Sequence, residues 1–253
     1  MSQTLAKGLM ILDFFTRETP TLTIEQIAEK LNMSVISTYR YVKVLCDADL
    51  LVMEHGQVQL SAKILRFVDL FWEHNRYVMY VKEPLKMLQQ ELNETITLCQ
   101  LEGNDVVCTF RVESSSPLRS SFKIGEKMPI HAGAFARAIA AFLPYRELRM
   151  IMNKTDWIPF TEKTIADPKQ FEARLAIIRE RGYDISEEEV NPGVTALAVP
   201  ILVDGKVFGS IGLGIPTVRY NPEQNETYIG KMKQTAEVVR KIIVENHLYT
   251  VTE

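Results

Sequence analysis

The stretch TLTIEQIAEKLNMSVISTYRYVKVL (Thr21–Leu45) decides how the N-terminal part of this 253-residue chain is read. Thr23 and Gln26 form a capping box ahead of an apolar stripe, Ile24, Ile27, Ala28 and Leu31, which predicts a short amphipathic helix. Asn32 is a left-handed stop, and Ser34, two residues on, is the next N-cap. The helix that follows turns Thr38, Tyr41, Val42 and Leu45 to one face at i, i+3, i+4, i+7 spacing. Two helices joined by so tight a turn frame everything around them.

Upstream, Leu5, Leu9, Leu12 and Phe15 recur at helical spacing and predict a first amphipathic helix. Thr21-Leu22-Thr23 then opens the second. Downstream, Leu50–Met53 and Val58–Leu60 read as two short strands around Glu54-His55-Gly56-Gln57. Three helices and a β-ribbon are the layout of a winged helix-turn-helix. Such a module lays its third helix in a DNA major groove; a small helical module that contacts protein has the same pattern. Charge does not decide between them, because residues 1–76 hold eight Lys/Arg against nine acids.

The distribution of charge says more. The outward face of the third helix carries Val35, Ile36, Tyr39, Arg40 and Lys43, with Ser37 at its border and no acid before Asp47. Arg40 suits bidentate contact with guanine, Tyr39 and Lys43 suit phosphates, and Val35 or Ile36 suits a thymine methyl. A merely solvated face does not account for two apolar residues and a tyrosine placed outward. Candidate DNA-binding residues are therefore Thr23, Ser34, Ser37, Tyr39, Arg40 and Lys43. His55 reads as a turn residue, with a minor-groove contact as the alternative.

Composition bounds the remaining classes. Apolar residues make up 46% of the chain and charged residues 24%, which is ordinary globular material. No apolar run approaches the ~20 residues that span a bilayer. The first residues lack a signal-peptide core, which points to the cytoplasm. Cys46, Cys99 and Cys108 form no CxxC pair and no metal-ligand spacing, so buried thiols are expected and neither a disulfide frame nor a zinc site. With a net charge of −3 there is no overall basic field, so any DNA contact is a local surface.

SAKILRFVDLFWEHN (Ser61–Asn75) is apolar nearly all round, and such a helix is expected to be buried on every side. It reads either as a linker helix covered by a partner subunit or as a helix inside one chain's core. From Tyr77 the pattern is α+β. Pro84–Leu92 is helical, and Thr95–Leu101 and Val106–Val112 form a hairpin around Glu102-Gly103-Asn104-Asp105. Asp167-Pro168-Lys169-Gln170 starts a helix that Gly182 ends. Val194–Leu202 and Lys206–Ile215 form a second hairpin around Asp204-Gly205, and Pro222–His247 is a long terminal helix. An antiparallel sheet backed by helices follows. The expected domains are residues 1–60, a linker helix at 61–76 and a second domain at 77–253.

These residues resemble the IclR family of bacterial transcription regulators over essentially the whole chain. The resemblance rests on Thr21–Leu45, on RVESSSPLRSSFKIGEKMPIHAGAFARAIAAFLP (Arg111–Pro144), on TIADP (Thr164–Pro168) and on RERGYDISEEEVNPGVTALAVPI (Arg179–Ile201). It implies a winged helix-turn-helix, a linker helix and a GAF-like C-terminal domain that binds a small effector. It also implies dimers, often paired into tetramers, on palindromic operators. The chain departs from the family's usual pattern at several positions. Ser34, Val35 and Ile36 stand where the family has proline, lysine and serine. Ser186 stands where it often has an acid, Ala196 where it has a cysteine, and Gly212 and Gly214 where it has serines.

The helix after His131 begins with small residues, Ala132-Gly133-Ala134-Phe135-Ala136. Free N–H groups there suit a ligand carboxylate, and small residues equally suit close helix–sheet packing. The resemblance places a pocket between this helix and the strands at Val194–Leu197 and Ile211–Leu213, rimmed by the Asp184–Glu189 loop. The backbone N–H groups of Ala134 and Phe135 are its expected anion anchor. Candidate effector-binding residues are His131, Ala134, Phe135, Ser186, Val194, Ala196, Gly212 and Gly214. Small residues on the far wall imply extra volume lined by Leu197, Leu213 and Phe135, suited to an acid with a hydrophobic body; a buried water or a residue such as Arg119 is the alternative, which would restore polarity to the pocket.

Glu187-Glu188-Glu189 after Asp184 reads as a solvated loop, with a carboxylate catalyst as the weaker alternative, since nothing nearby reads as a nucleophile. No GxSxG, phosphate-binding glycine loop or metal spacing is present, and the alternating glycines at Gly209–Gly214 lie along a strand, where they make no dinucleotide fingerprint. No catalytic residue or cofactor is assigned. An enzyme and a protein-interaction adaptor are the competing classes.

Overall fold

The capping box at Thr23 forms as its spacing dictates. The Gln26 N–H donates to Thr23 Oγ1 at 3.3 Å, and the Thr23 N–H donates to Gln26 Oε1 at 2.8 Å. In the computed structural model, which describes residues 3–16, 18–118 and 122–248, the chain divides into two compact units, Met1–Asn75 and Arg76–Glu253.

The first unit contains α1 (Gln3–Met10), a 3-10 turn (Ile11–Phe14), β1 (Thr21–Leu22), α2 (Ile24–Leu31), α3 (Val35–Asp47), β2 (Leu51–Glu54), β3 (Gln57–Leu60) and α4 (Lys63–His74). Asn32 stops α2 in the left-handed conformation, and Ser34 caps α3 by accepting the Ser37 N–H. Ile11, Leu22, Ile27, Val42, Leu51 and Val58 meet in one core. Three expectations need correction. Thr21–Leu22 does not open a helix but pairs antiparallel with Gln59 and Val58, giving a sheet of order β1-β3-β2. The stripe on α1 is displaced: Leu5 and Leu9 are exposed, while Gly8 is buried facing Tyr41 of α3 and Ile11 is buried at the start of the 3-10 turn. Finally, no residue of α4 is buried, so the helix does not lie inside one chain's core. Leu65, Phe67, Leu70 and Phe71 are all at least 41% exposed.

The second unit contains α5 (Tyr77–Leu92), β4 (Thr95–Glu102), β5 (Asp105–Val112), β6 (Lys127–Pro129), α6 (Gly133–Ala140) and α7 (Tyr145–Met152). It continues with α8 (Pro168–Arg181), β7 (Asp184–Glu187), β8 (Val194–Val203), β9 (Lys206–Pro216) and, after a 3-10 turn, α9 (Asn225–Glu245). Six antiparallel strands lie in the order β6-β5-β4-β9-β8-β7. Pro84 does not begin α5. It sits inside the helix, where burial of Val81, Leu85 and Leu88 outweighs the lost backbone donor. β6 and α7 were not expected from the sequence, and β7 was expected as loop.

Cross-strand register decides what faces what. Ala196 pairs with Gly214, Ala198 with Gly212, and Gly212 with Thr97, so these side chains share one face. α6 lies on that face, with Phe135, Ala138 and Ile139 packed against Ala198 and Cys99. Leu197 and Leu213 pair with each other on the opposite face. They do not line the α6 side, contrary to expectation, because the strand period of two sends them away from it.

Candidate DNA-reading helix and effector cavity

The cap at Ser34 starts α3 immediately after the left-handed Asn32, which fixes the angle between α2 and α3. Thr38, Val42 and Leu45 are buried and hold the inner face. The outer face presents Val35, Ile36, Tyr39, Arg40 and Lys43, with Ile36 72% exposed. Tyr39, Arg40 and Lys43 are thus brought together on one exposed surface, and Ser37 is half-buried at its edge. Thr23, Ser34 and Ser37 have structural employment: Thr23 caps α2, and Ser34 Oγ donates to Ser37 Oγ at 2.9 Å while accepting the Ser37 N–H. The wing turns at His55 and Gly56, both with positive φ.

In the second unit the N-terminal end of α6 meets a strap formed by residues 187–193. Gly133, at φ +70°, has no room for a side chain, since a Cβ there would stand 2.9 Å from Val190 Cγ2. Ser186 Oγ accepts the Ala134 N–H at 3.1 Å, so the expected anion anchor already holds a hydroxyl partner. A cavity enclosing about 30 Å³ lies here, lined by Phe122, Phe135, Ser186, Val190, Val194 and Ala196, with Ala134 also on its wall. That is about the share of one water in the liquid, not the roomy space that the small residues implied. The reason is Phe135. A Cβ on Gly212 would stand 2.5 Å from Phe135 Cε1, so the ring fills the space the glycine vacates, and Phe122 lies against it at 5.9 Å between centroids.

Five of the expected effector residues, Ala134, Phe135, Ser186, Val194 and Ala196, are brought together around this cavity. Gly212 lies beneath Phe135, and Gly214 follows it on the same sheet face. His131 does not line the cavity. It is fully buried, its Nε2 donates to the Ile158 carbonyl at 3.2 Å, and its ring rests 5.1 Å from that of Trp157. Burial pushes its imidazole below the ordinary value. Arg119 lies outside the described residues.

The acidic run is no solvated loop. Asp184 is fully buried, and its carboxylate accepts from Arg137 Nε at 2.6 Å, Arg174 Nε at 2.8 Å and Arg181 at 2.8 Å. Glu189 takes both terminal nitrogens of Arg137, one of them at 2.8 Å. Burial alone would lower the Arg137 guanidinium, but the contacts to Glu189 and Asp184 outweigh it and hold the group above its ordinary value. Glu188 is fastened from outside, accepting from Lys163 Nζ at 2.6 Å and from the Gly193 N–H at 3.1 Å. A signal for this cluster exists in the sequence: Arg137 is the one charged residue of α6, all of whose residues are buried, and a buried charge needs partners. Among the described residues no group of three or more His, Cys, Asp or Glu could hold a metal ion, and no helix is long and apolar enough to cross a membrane.

Residues 74–241 match the family described as bacterial transcriptional regulator IclR C-terminal, and residues 4–54 match the IclR helix-turn-helix domain. The chain belongs to the IclR family. Like the IclR regulators it resembles, it combines a helix-turn-helix with an effector-binding domain. It is 25% identical over 244 residues to the HTH-type transcriptional regulator KipR of Bacillus subtilis, covering 95% of this chain and 97% of that one. It is 27% identical over 238 residues to the HTH-type transcriptional repressor AllR of Klebsiella pneumoniae, covering 93% and 88%. The crystal structure of Thermotoga maritima IclR superposes with a TM-score of 0.77 at 25% identity, covering 95% of this chain and 98% of that one. An IclR homologue from Microbacterium hydrocarbonoxydans, crystallised with 4-hydroxybenzoate, shares the fold at a TM-score of 0.76 and 18% identity, covering 96% and 100%.

Proposed function

We propose that this IclR regulator binds an operator through α3 and that a small organic acid, taken up at the N-terminal end of α6, sets its occupancy. The observation that carries the DNA reading is the outer face of α3, where Tyr39, Arg40 and Lys43 stand exposed beside Val35 and Ile36 with no acid among them. An adaptor surface for protein has no need of a guanidinium and an ammonium one turn apart beside exposed methyl groups, whereas base edges and phosphates use both.

The Microbacterium homologue holds 4-hydroxybenzoate on the same fold, which supports an acid of similar size here. The cavity wall is apolar apart from Ser186 and Asn191 and backbone N–H groups at the start of α6. A ligand carboxylate would replace Ser186 Oγ on the Ala134 N–H while its body displaces the Phe135 ring from Gly212. Such an acid is aromatic or medium-chain, because a two-carbon keto acid cannot supply the apolar contacts that the displaced ring gives up. The bare apolar face of α4 supports pairing of two copies and hence an inverted-repeat operator, with half-sites whole helical turns apart.

Selection of random duplexes on the full chain tests the reading. Enrichment of an inverted repeat, with affinity altered by 4-hydroxybenzoate or benzoate more than by glyoxylate, is the expected result. Absence of enrichment would overturn the DNA assignment, and tighter binding of glyoxylate would overturn the ligand class.

A further inference from the structure

Beside α3, within the first unit, runs an open cleft of about 820 Å³. Tyr39 and Lys43 line one side, β2 contributes Met53, and Lys63 and Arg66 of α4 line the other. Its wall carries three cations, Lys43, Lys63 and Arg66, against one acid, Asp49. That concentration is notable in a stretch where acids outnumber bases overall. Lys43 and Arg66 are exposed and make no ion pair among the described residues. Lys63 is held in place: its Nζ donates to the Ala48 carbonyl at 2.8 Å, at the C-terminal end of α3. Ser61 Oγ donates to the Asp49 carbonyl and accepts the Lys63 N–H at 3.1 Å. The start of α4 is thereby tied to the end of α3, and the two cationic walls keep a fixed separation.

We infer that this cleft receives one sugar–phosphate strand of the bound duplex, with Lys63 and Arg66 as phosphate contacts beyond the recognition helix. The inference rests on the DNA reading above. A helix lying in a major groove is flanked by the two backbones, so the surface next to Tyr39 and Lys43 is where a strand passes. Each strand offers a phosphate about every 3.4 Å along the axis, and an open cleft with three cations on its wall, two of them exposed, suits that polyanion. A site for a free anion is built differently, with buried donors, whereas Lys43 and Arg66 are exposed on an open cleft.

The test is the salt dependence of binding to a mixed-sequence duplex of about 40 base pairs, followed by fluorescence anisotropy between about 50 and 200 mM salt. Lys63→Gln and Arg66→Gln should each flatten the slope of log K against log salt by about 0.9, and the double variant by nearly 2, with the selected operator sequence unchanged. Arg66 has no hydrogen-bond or ion-pair partner among the described residues, so its variant should stay folded even if Lys63→Gln loosens α4, which a thermal melt would register. Inorganic phosphate at constant ionic strength should leave wild-type binding untouched. Unchanged slopes in Arg66→Gln and the double variant would overturn the inference, as would competition by free phosphate, which would mark a small-anion site. Wild-type protein that shows no salt-dependent binding to any duplex would fail at the earlier step and sink the DNA reading with it.

Discussion

Arg137 and Glu189, 52 residues apart in the chain, face each other through two guanidinium–carboxylate contacts inside the C-terminal unit, with the Arg137 side chain wholly buried. The pair joins the helix that begins at the cavity to the strap that closes over it. Removing one member leaves a buried charge short of its partner, which costs about 3–5 kcal/mol. Glu189→Ala is therefore expected to lower stability by that order in urea denaturation. Arg137→Met combined with Glu189→Leu should recover most of the loss, because Asp184 retains Arg174 and Arg181. A double variant as unstable as Glu189→Ala would contradict this account.

The fully buried His131 gives a pH dependence with a definite sign. Its folded value is held below the ordinary 6.5 by burial, so near that pH the unfolded chain binds a proton that the folded chain refuses. Its contribution to stability is present above pH 6.5 and is lost as pH falls below it. Unfolding free energies measured from pH 7 downward should fall more steeply for wild type than for His131→Asn. Parallel curves would show that His131 does not titrate on unfolding.

Replacement of Gly212 by alanine puts a methyl group where Phe135 and Thr97 already stand, both at 2.5 Å from the built Cβ. The expected loss is about 1–3 kcal/mol. Phe135→Leu should relieve part of it, so a double-mutant cycle between the two positions should show coupling. Additive losses would mean that the ring is not what fills the space.

At the DNA-reading helix, Arg40→Ala should cost about 1–3 kcal/mol and relax preference at one base position, whereas Lys43→Ala should weaken all sequences alike. Footprinting and selection with both variants check this. Equal losses that ignore sequence would remove Arg40 from base readout.

The apolar face of α4 leads to the last expectation. Leu65 is 68% exposed and no residue of the helix is buried, an arrangement that water disfavours unless a second copy covers it. Light scattering at micromolar concentration should report at least a dimer, and Leu65→Glu should shift the population toward monomer. A stable wild-type monomer would defeat the pairing.

The helix-turn-helix was legible because its signals are local: a capping box, a left-handed asparagine, a second cap and an inward face at regular spacing. The hairpins at Gly103 and Gly205 were legible for the same reason. What escaped depends on contacts distant in sequence. β1 and β6 are short strands, defined by their partners Val58–Gln59 and Asp105–Val107 and by nothing in their own composition. The burial of Asp184 depends on three arginines from two helices. Periodicity along β8 and β9 shows that alternate residues face opposite ways, but only the register fixes Leu197 and Leu213 away from α6. Of the expected effector residues, Ala134, Phe135, Ser186, Val194 and Ala196 line one cavity, while His131, Gly212 and Gly214 do not. The size of that cavity was misjudged because small residues in a strand do not reveal which side chain opposite comes down to fill them.

Between Met152 and Pro168 the chain has neither helix nor strand, yet it is pinned from several directions. Thr161 Oγ1 donates to the Glu188 carbonyl at 2.8 Å, Thr164 Oγ1 to the Glu189 carbonyl at 2.5 Å, and Ile158 accepts from His131. The segment is held by its own turns around Thr161 and Thr164 and, beyond them, by the strap and by His131, so part of its local opening energy comes from the strap. Whatever loosens the strap therefore loosens a surface loop as well, exposing its peptide bonds to proteases and its amides to solvent exchange. Cleavage within this loop would then serve as an external gauge of whether the strap above the cavity is fastened.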